Sequence, residues 1–214
     1  VLTADRVSLL HNHDLAIVSF DSVDIEAQLS NALIAHTEPS PLGGLGIGVA
    51  QKDGGFMSLA HSLIHSNADS GTYSQGEGSE LELEDVVIRL SAPDLQAPAA
   101  EAVEEGEDEP DSELLVEGRG RGVVLDDGAD LKASRLECRH NRTASVWVVG
   151  EGSLAEIEDL IIEDTMPGEI EQTGSGVVVA KGARFEVDRA HISKSHIAGV
   201  WVQGEISEVS EVSG

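Results

Sequence analysis

The sequence predicts an all-β fold, a parallel β-helix solenoid of about seven to eight coils of ~24 residues. Three observations carry this: one apolar template recurs along the chain, it alternates with the period of a strand, and a short β-branched triplet precedes several copies. The template is clearest at Leu131, Ala133, Leu136 and Cys138, apolar at steps 0, 2, 5 and 7, with the small polar Asn141 at step 10. The same steps read Leu2, Ala4, Val7, Leu9, Asn12; Ala27, Leu29, Ala32, Ile34, Thr37; and Met57, Leu59, Ser62, Ile64, Asn67. They return as Leu81, Leu83, Val86, Ile88, Ser91; Ala155, Ile157, Leu160, Ile162, Thr165; and Phe185, Val187, Ala190, Ile192, Ser195. Only Ser62 breaks the apolar slots, and step 10 is Asn, Thr or Ser in every copy.

Within one repeat, steps 0 to 2 and 5 to 7 alternate as strands do, and the three-residue step between them requires a bend. A third strand precedes the anchor at Val123-Val124-Leu125, Val146-Trp147-Val148, Val177-Val178-Val179 and Val200-Trp201-Val202. Gly128, Gly152 and Gly182 each stand three residues before an anchor, where a tight turn needs positive φ. Three short strands and three turns per repeat are thus expected. The Asn/Thr/Ser column at step 10 is expected to turn the chain and bond sideways to turn backbone in the next coil, since a buried amide without a partner is costly.

The stretch "GVVVAKGARFEVDRAHISKSHIAGVWV" resembles the repeats of right-handed parallel β-helix proteins of the pectate-lyase-like superfamily. The resemblance extends over nearly the whole chain apart from residues 92 to 118. It implies the fold and leaves function open, because lyases, hydrolases, epimerases, tailspikes and adhesins share it. Steps 2, 5, 7 and 10 also read as L-x-x-L-x-L-x-x-N, the strand of a leucine-rich repeat interaction protein. That alternative predicts a Leu-rich helical continuation, whereas these repeats run into glycine-flanked β-branched triplets.

The 214 residues read as a single β-helix domain, 1 to 214, cut from a larger chain because the pattern is already running at Leu2. A net charge of -27, from 40 acidic and 13 basic residues, excludes a nucleic-acid partner, which needs a basic surface. No apolar run reaches membrane-spanning length, so no membrane insertion is expected. Cys138 is the only cysteine, so no internal disulfide can form.

A regular repeat takes five residues from step 10 to the next strand, as from Asn141 to Val146. The longer repeats extend this same connection, Thr37 to Ile47, Ser91 to Val123 and Thr165 to Val177, so the insertions gather at one corner. Such gathering marks a binding face or a corner that tolerates length. The longest insertion, an acidic loop over residues 92 to 118, holds ten carboxylates and no basic residue. It could take Ca²⁺, the one cofactor considered, but lacks the fixed spacing of a calcium loop and reads as a solvated segment.

In a Val-Trp-Val triplet the valines face one way and the tryptophan the other. With the valines inward, Val124, Trp147, Val178 and Trp201 form an outward apolar stripe with the indoles ~10 Å apart, two strand separations. Three roles stay open: a ligand such as a neutral glycan stacking on the rings, a protein or subunit contact in a homo-oligomer, or cover by the acidic loop. Step 6 is a second outward apolar column at Leu33, Leu63, Val87 and Ile161.

Hydrolases of the resembled family pair aspartates with Gly-His-Gly and Arg-x-Lys motifs; here Asp126 and Asp127 supply a pair beside the turn glycine Gly128, and both motifs are missing. Family lyases use Asp-bound Ca²⁺ beside a basic residue, and Arg119 and Arg121 have no matching carboxylate cluster. His11 and His36 share step 9 about 5 Å apart, without an evident third metal ligand. Cys138, at an inward slot, reads as a buried structural thiol. The sequence therefore predicts a non-catalytic binding or adhesion domain of a secreted or cell-surface protein, with a glycan or protein partner on the Val-Trp-Val face. The competing reading is a carbohydrate-active lyase or glycosidase with acidic residues near that face.

Overall fold

The computed structural model of the chain describes residues 1–20, 26–39, 45–89, 120–168, 174–204 and the backbone of 208–210. Among them there is no helix, and every paired strand runs parallel in one of two sheets. Strands Leu2–Asp5, Glu26–Ser30, Gly55–Ala60, Ser79–Arg89, Asp130–Arg139, Leu154–Glu163, Arg184–Val187 and Glu208–Ser210 follow one another across the first sheet. The seven anchors lie in one register, Leu2, Ala27, Met57, Leu81, Leu131, Ala155 and Phe185, and Val209 pairs with Phe185 at the end of the row. The second sheet orders Leu15–Phe20, Ile47–Lys52, Ser70–Gln75, Arg121–Asp126, Thr143–Val149, Gly174–Ala180 and Val200–Gln203. Sequence-distant strands stacked in register in this way fit a parallel β-solenoid.

One expectation needs correction. The bend between steps 2 and 5 does not separate two strands everywhere: Ser79–Arg89, Asp130–Arg139 and Leu154–Glu163 run through it unbroken, leaving two sheets rather than three. A single left-handed residue at step 4 makes the bend, at Arg6, Asn31, His61, Asp85, Arg135 and Asp159 (φ 51 to 62°). One residue at positive φ turns the chain while its neighbours keep their ladder bonds. Step 9 does the same at His11, His36, Ser66, His140, Asp164 and Lys194. Asn, Asp and His tolerate this region better than most side chains, and several of these slots use them.

The inward columns form one core running along the stack, from Ala27, Leu29 and Ile34 to Phe185 and Val187. Leu2 is 55% exposed because the first repeat has a described neighbour on one side only. Ser62, the exception to the apolar slots, is buried and satisfied: its hydroxyl donates to the Ala60 carbonyl at 2.8 Å and accepts from the Ala32 amide at 3.1 Å. The step-10 column makes part of the expected ties between repeats, while Asn12 Nδ2, Asn67 Nδ2 and the Thr37 and Ser195 hydroxyls have no partner among the described residues. The Thr37 amide donates to Asn67 Oδ1 at 3.1 Å, Asn141 Nδ2 donates to the Ile88 carbonyl, and the Ser145 and Thr165 hydroxyls pair at 2.8 Å. The turn glycines Gly128, Gly152 and Gly182 have φ of 83 to 86°.

Candidate functional site

The second sheet places the predicted stripe in one register column, which runs Val18, Ala50, Tyr73, Val124, Trp147, Val178 and Trp201. Val146 and Val148 point inward and are fully buried, so the valine and tryptophan sides of the triplet are as read from the sequence. Tyr73 was missed because its flanks, Thr72 and Ser74, are polar. The signal was nevertheless present: Thr72 stands five residues after Asn67, as Val146 does after Asn141. With Tyr73 included, an aromatic ring occupies every second position from Tyr73 onward, at Tyr73, Trp147 and Trp201, with spacings of about 10 Å, and Val18 holds the alternate place before them.

Exposure along the column follows this alternation. Trp201 is 39% exposed and Trp147 half-buried, whereas Val124 (2%) and Val178 (7%) are buried between the larger rings that flank them. The stripe therefore presents rings, and its valines serve as spacers. Arg121 lays its guanidinium 4.2 Å from the centroid of the Trp147 ring, a cation-π contact on one face of the indole.

Beside the ladder runs a column of outward residues from the same strands, Lys52, Gln75 and Asp126. Gln75 Nε2 donates to Asp127 Oδ2 at 3.1 Å, holding the turn carboxylate against the strand. Burial, together with the neighbouring Asp127 charge, raises the Asp126 carboxyl above the usual carboxylate range. Burial also pushes the Tyr73 phenol up, reinforced by Asp126, Asp127 and Asp69. Asp127 itself sits in the turn at φ 49°, the expected turn role. Arg119 and the acidic loop 92 to 118 lie outside the described residues.

The first sheet carries a feature that sequence reasoning passed over. Its outer face forms a groove of 940 Å³ lined by Glu82, Glu84, Lys132, Glu156, Glu158 and Glu186 among others. The signal was the run of acidic residues at steps 1 and 3, which becomes one surface only once the register is known. Lys132 Nζ bonds Glu80 at 2.7 Å across the repeats. The Arg135 guanidinium spans Glu84 and Asp85, and Arg189 spans Glu158 and Asp159, so part of this acidity is neutralised internally.

The step-9 histidines meet as their spacing predicted. His11 and His36 stack with centroids 5.0 Å apart and planes 9° off parallel, and His65 extends the row edge-on to His36 at 5.3 Å. Among the described residues no group of three or more His, Cys, Asp or Glu is placed to hold a metal ion. Cys138 is fully buried, and that burial pushes its thiol up, away from the reactive thiolate. Among the described residues no helix is long and apolar enough to cross a membrane. No protein-family model, curated protein or solved structure matches the chain.

Proposed function

We propose that the chain is a right-handed parallel β-helix of seven coils with an eighth begun at Val200, and that it works as a non-catalytic binding module. The contact face is the set of rings Tyr73, Trp147 and Trp201, with Val124 and Val178 as the buried spacers between them. The reading is supported above all by the alternation of ring and spacer along one register column: three aromatic surfaces at a constant interval suit an extended partner lying along the stack. A glycan stacking its rings on the aromatics, or an extended protein segment, satisfies that geometry. Arg121 over Trp147 adds a donor beside the central ring.

The test is a glycan-array screen followed by titration of tryptophan fluorescence. Binding that Trp201→Ala and Tyr73→Ala each weaken supports the ladder. Absence of any glycan binding, combined with indoles that a soluble quencher does not reach, would overturn a ladder ligand of either kind. A second reading, a carbohydrate-active enzyme, is favoured by the raised carboxyl of Asp126 beside Tyr73 and Arg121. It predicts new reducing ends or unsaturated products from a bound glycan, abolished by Asp126→Asn.

A further inference from the structure

We infer that the His11, His36 and His65 row makes the three repeats that carry it an acid-sensitive segment of the solenoid, closed while the imidazoles are neutral and loosened when they take up protons. The row is fixed by the backbone. His11 and His36 occupy the same left-handed slot in successive repeats (φ 54 and 57°), and the ladder pairs Leu10 with Ala35 and Ala35 with His65, so the backbone holds the three residues one strand separation apart. Neutral imidazoles 5.0 Å apart and nearly parallel stack favourably; two imidazolium ions in the same places repel.

The surroundings decide how many protons the row accepts. Arg89 pairs in register with His65 and places a permanent cation at that end, while Ser66 Oγ lies 3.0 Å from His65 Nδ1. Burial, with His36 and Arg89 beside it, holds the His65 imidazole below the usual histidine range. On the connection that follows, the backbones of His13 and Glu38 form an isolated parallel β-bridge, and the Asp14 amide bonds the Glu38 carbonyl at 2.8 Å. Asp14, Glu38 and Asp69 are the carboxylates on the connections that follow the row, and His13 and Arg89 are the further cationic groups near it.

The experiment is amide hydrogen exchange on the full chain at pH 7.5 and pH 5.5, corrected for the intrinsic exchange rate. Opening of Ser8–Leu10, Leu33–Ala35 and Leu63–His65 should rise severalfold at the lower pH, toward the factor of about four for two unit charges ~5 Å apart under full water screening. Leu154–Glu163, remote from the row, should keep its protection. His36→Asn removes the central ring, retains a residue suited to the left-handed slot and should abolish the difference; His11→Asn removes one of the two ring contacts and should reduce it, if the first variant folds poorly. An unchanged wild-type profile, or an acid response of equal size in both variants, would overturn the inference.

Discussion

Gly122→Ala tests how the second sheet is joined to the step-10 ladder. Gly48, Gly71, Gly122, Gly176 and Gly199 occupy one slot, each immediately before the inward residue that starts the Val-x-Val pattern. A methyl at Gly122 would come within 2.4 Å of the Ser145 carbonyl oxygen and 2.8 Å of Asn141 Nδ2, both in the next repeat. Gly122 is not in the left-handed region, so the cost is steric. Overpacking of this kind costs about 1–3 kcal/mol. The loss of unfolded-chain entropy offsets about 0.4–1 kcal/mol of it. A net destabilisation of about 0.5–2 kcal/mol is expected, read from urea unfolding followed by far-UV circular dichroism. The next repeat explains why the same slot there accepts Ser145: it faces the smaller Thr165, and the two hydroxyls pair at 2.8 Å. Adding Asn141→Thr to Gly122→Ala should therefore recover part of the loss, a coupling of about 0.5 kcal/mol or more. A Gly122→Ala protein as stable as the wild type would refute the steric reasoning, because the only remaining effect of the methyl favours folding.

Three further outcomes are expected. Asn67→Ala leaves the buried Thr37 amide without its acceptor and should cost about 1–3 kcal/mol in thermal unfolding. Asn12→Ala, on the less buried first repeat, should cost less. Asp126 has a folded pKa above its unfolded value, so its charge opposes folding once the pH rises from about the ordinary 3.8 through the raised value; Asp126→Asn should stabilise at neutral pH, with the gain gone below that range. A gain that persisted in strong acid would contradict this assignment. Cys138 should resist alkylation in the native protein and react at the rate of opening of its repeat, measured by pulsed labelling and mass spectrometry.

By itself the sequence determined the repeat, the inward columns and the orientation of the Val146-Trp147-Val148 triplet, whereas Val202 of the second triplet, expected inward, is 46% exposed. Those features rest on the period-two alternation of single strands and on residues at fixed offsets from an anchor, which chain order preserves. Tyr73, the glycine slot, the acidic groove and the third histidine were decided by the tertiary structure. Each is a relation between repeats rather than within one, and repeats of 24, 25, 30 and 50 residues scatter lateral neighbours to unequal distances along the chain. Tyr73 stands 51 positions before Val124, its partner in the ladder, and Val124 only 23 before Trp147. The bend at step 4 was legible as a place but not as a mechanism, since one residue at positive φ turns a strand without ending it. Hydrogen-bonded register, set by the whole stack, turned Tyr73, Trp147 and Trp201 from three aromatic residues in separate repeats into one ladder.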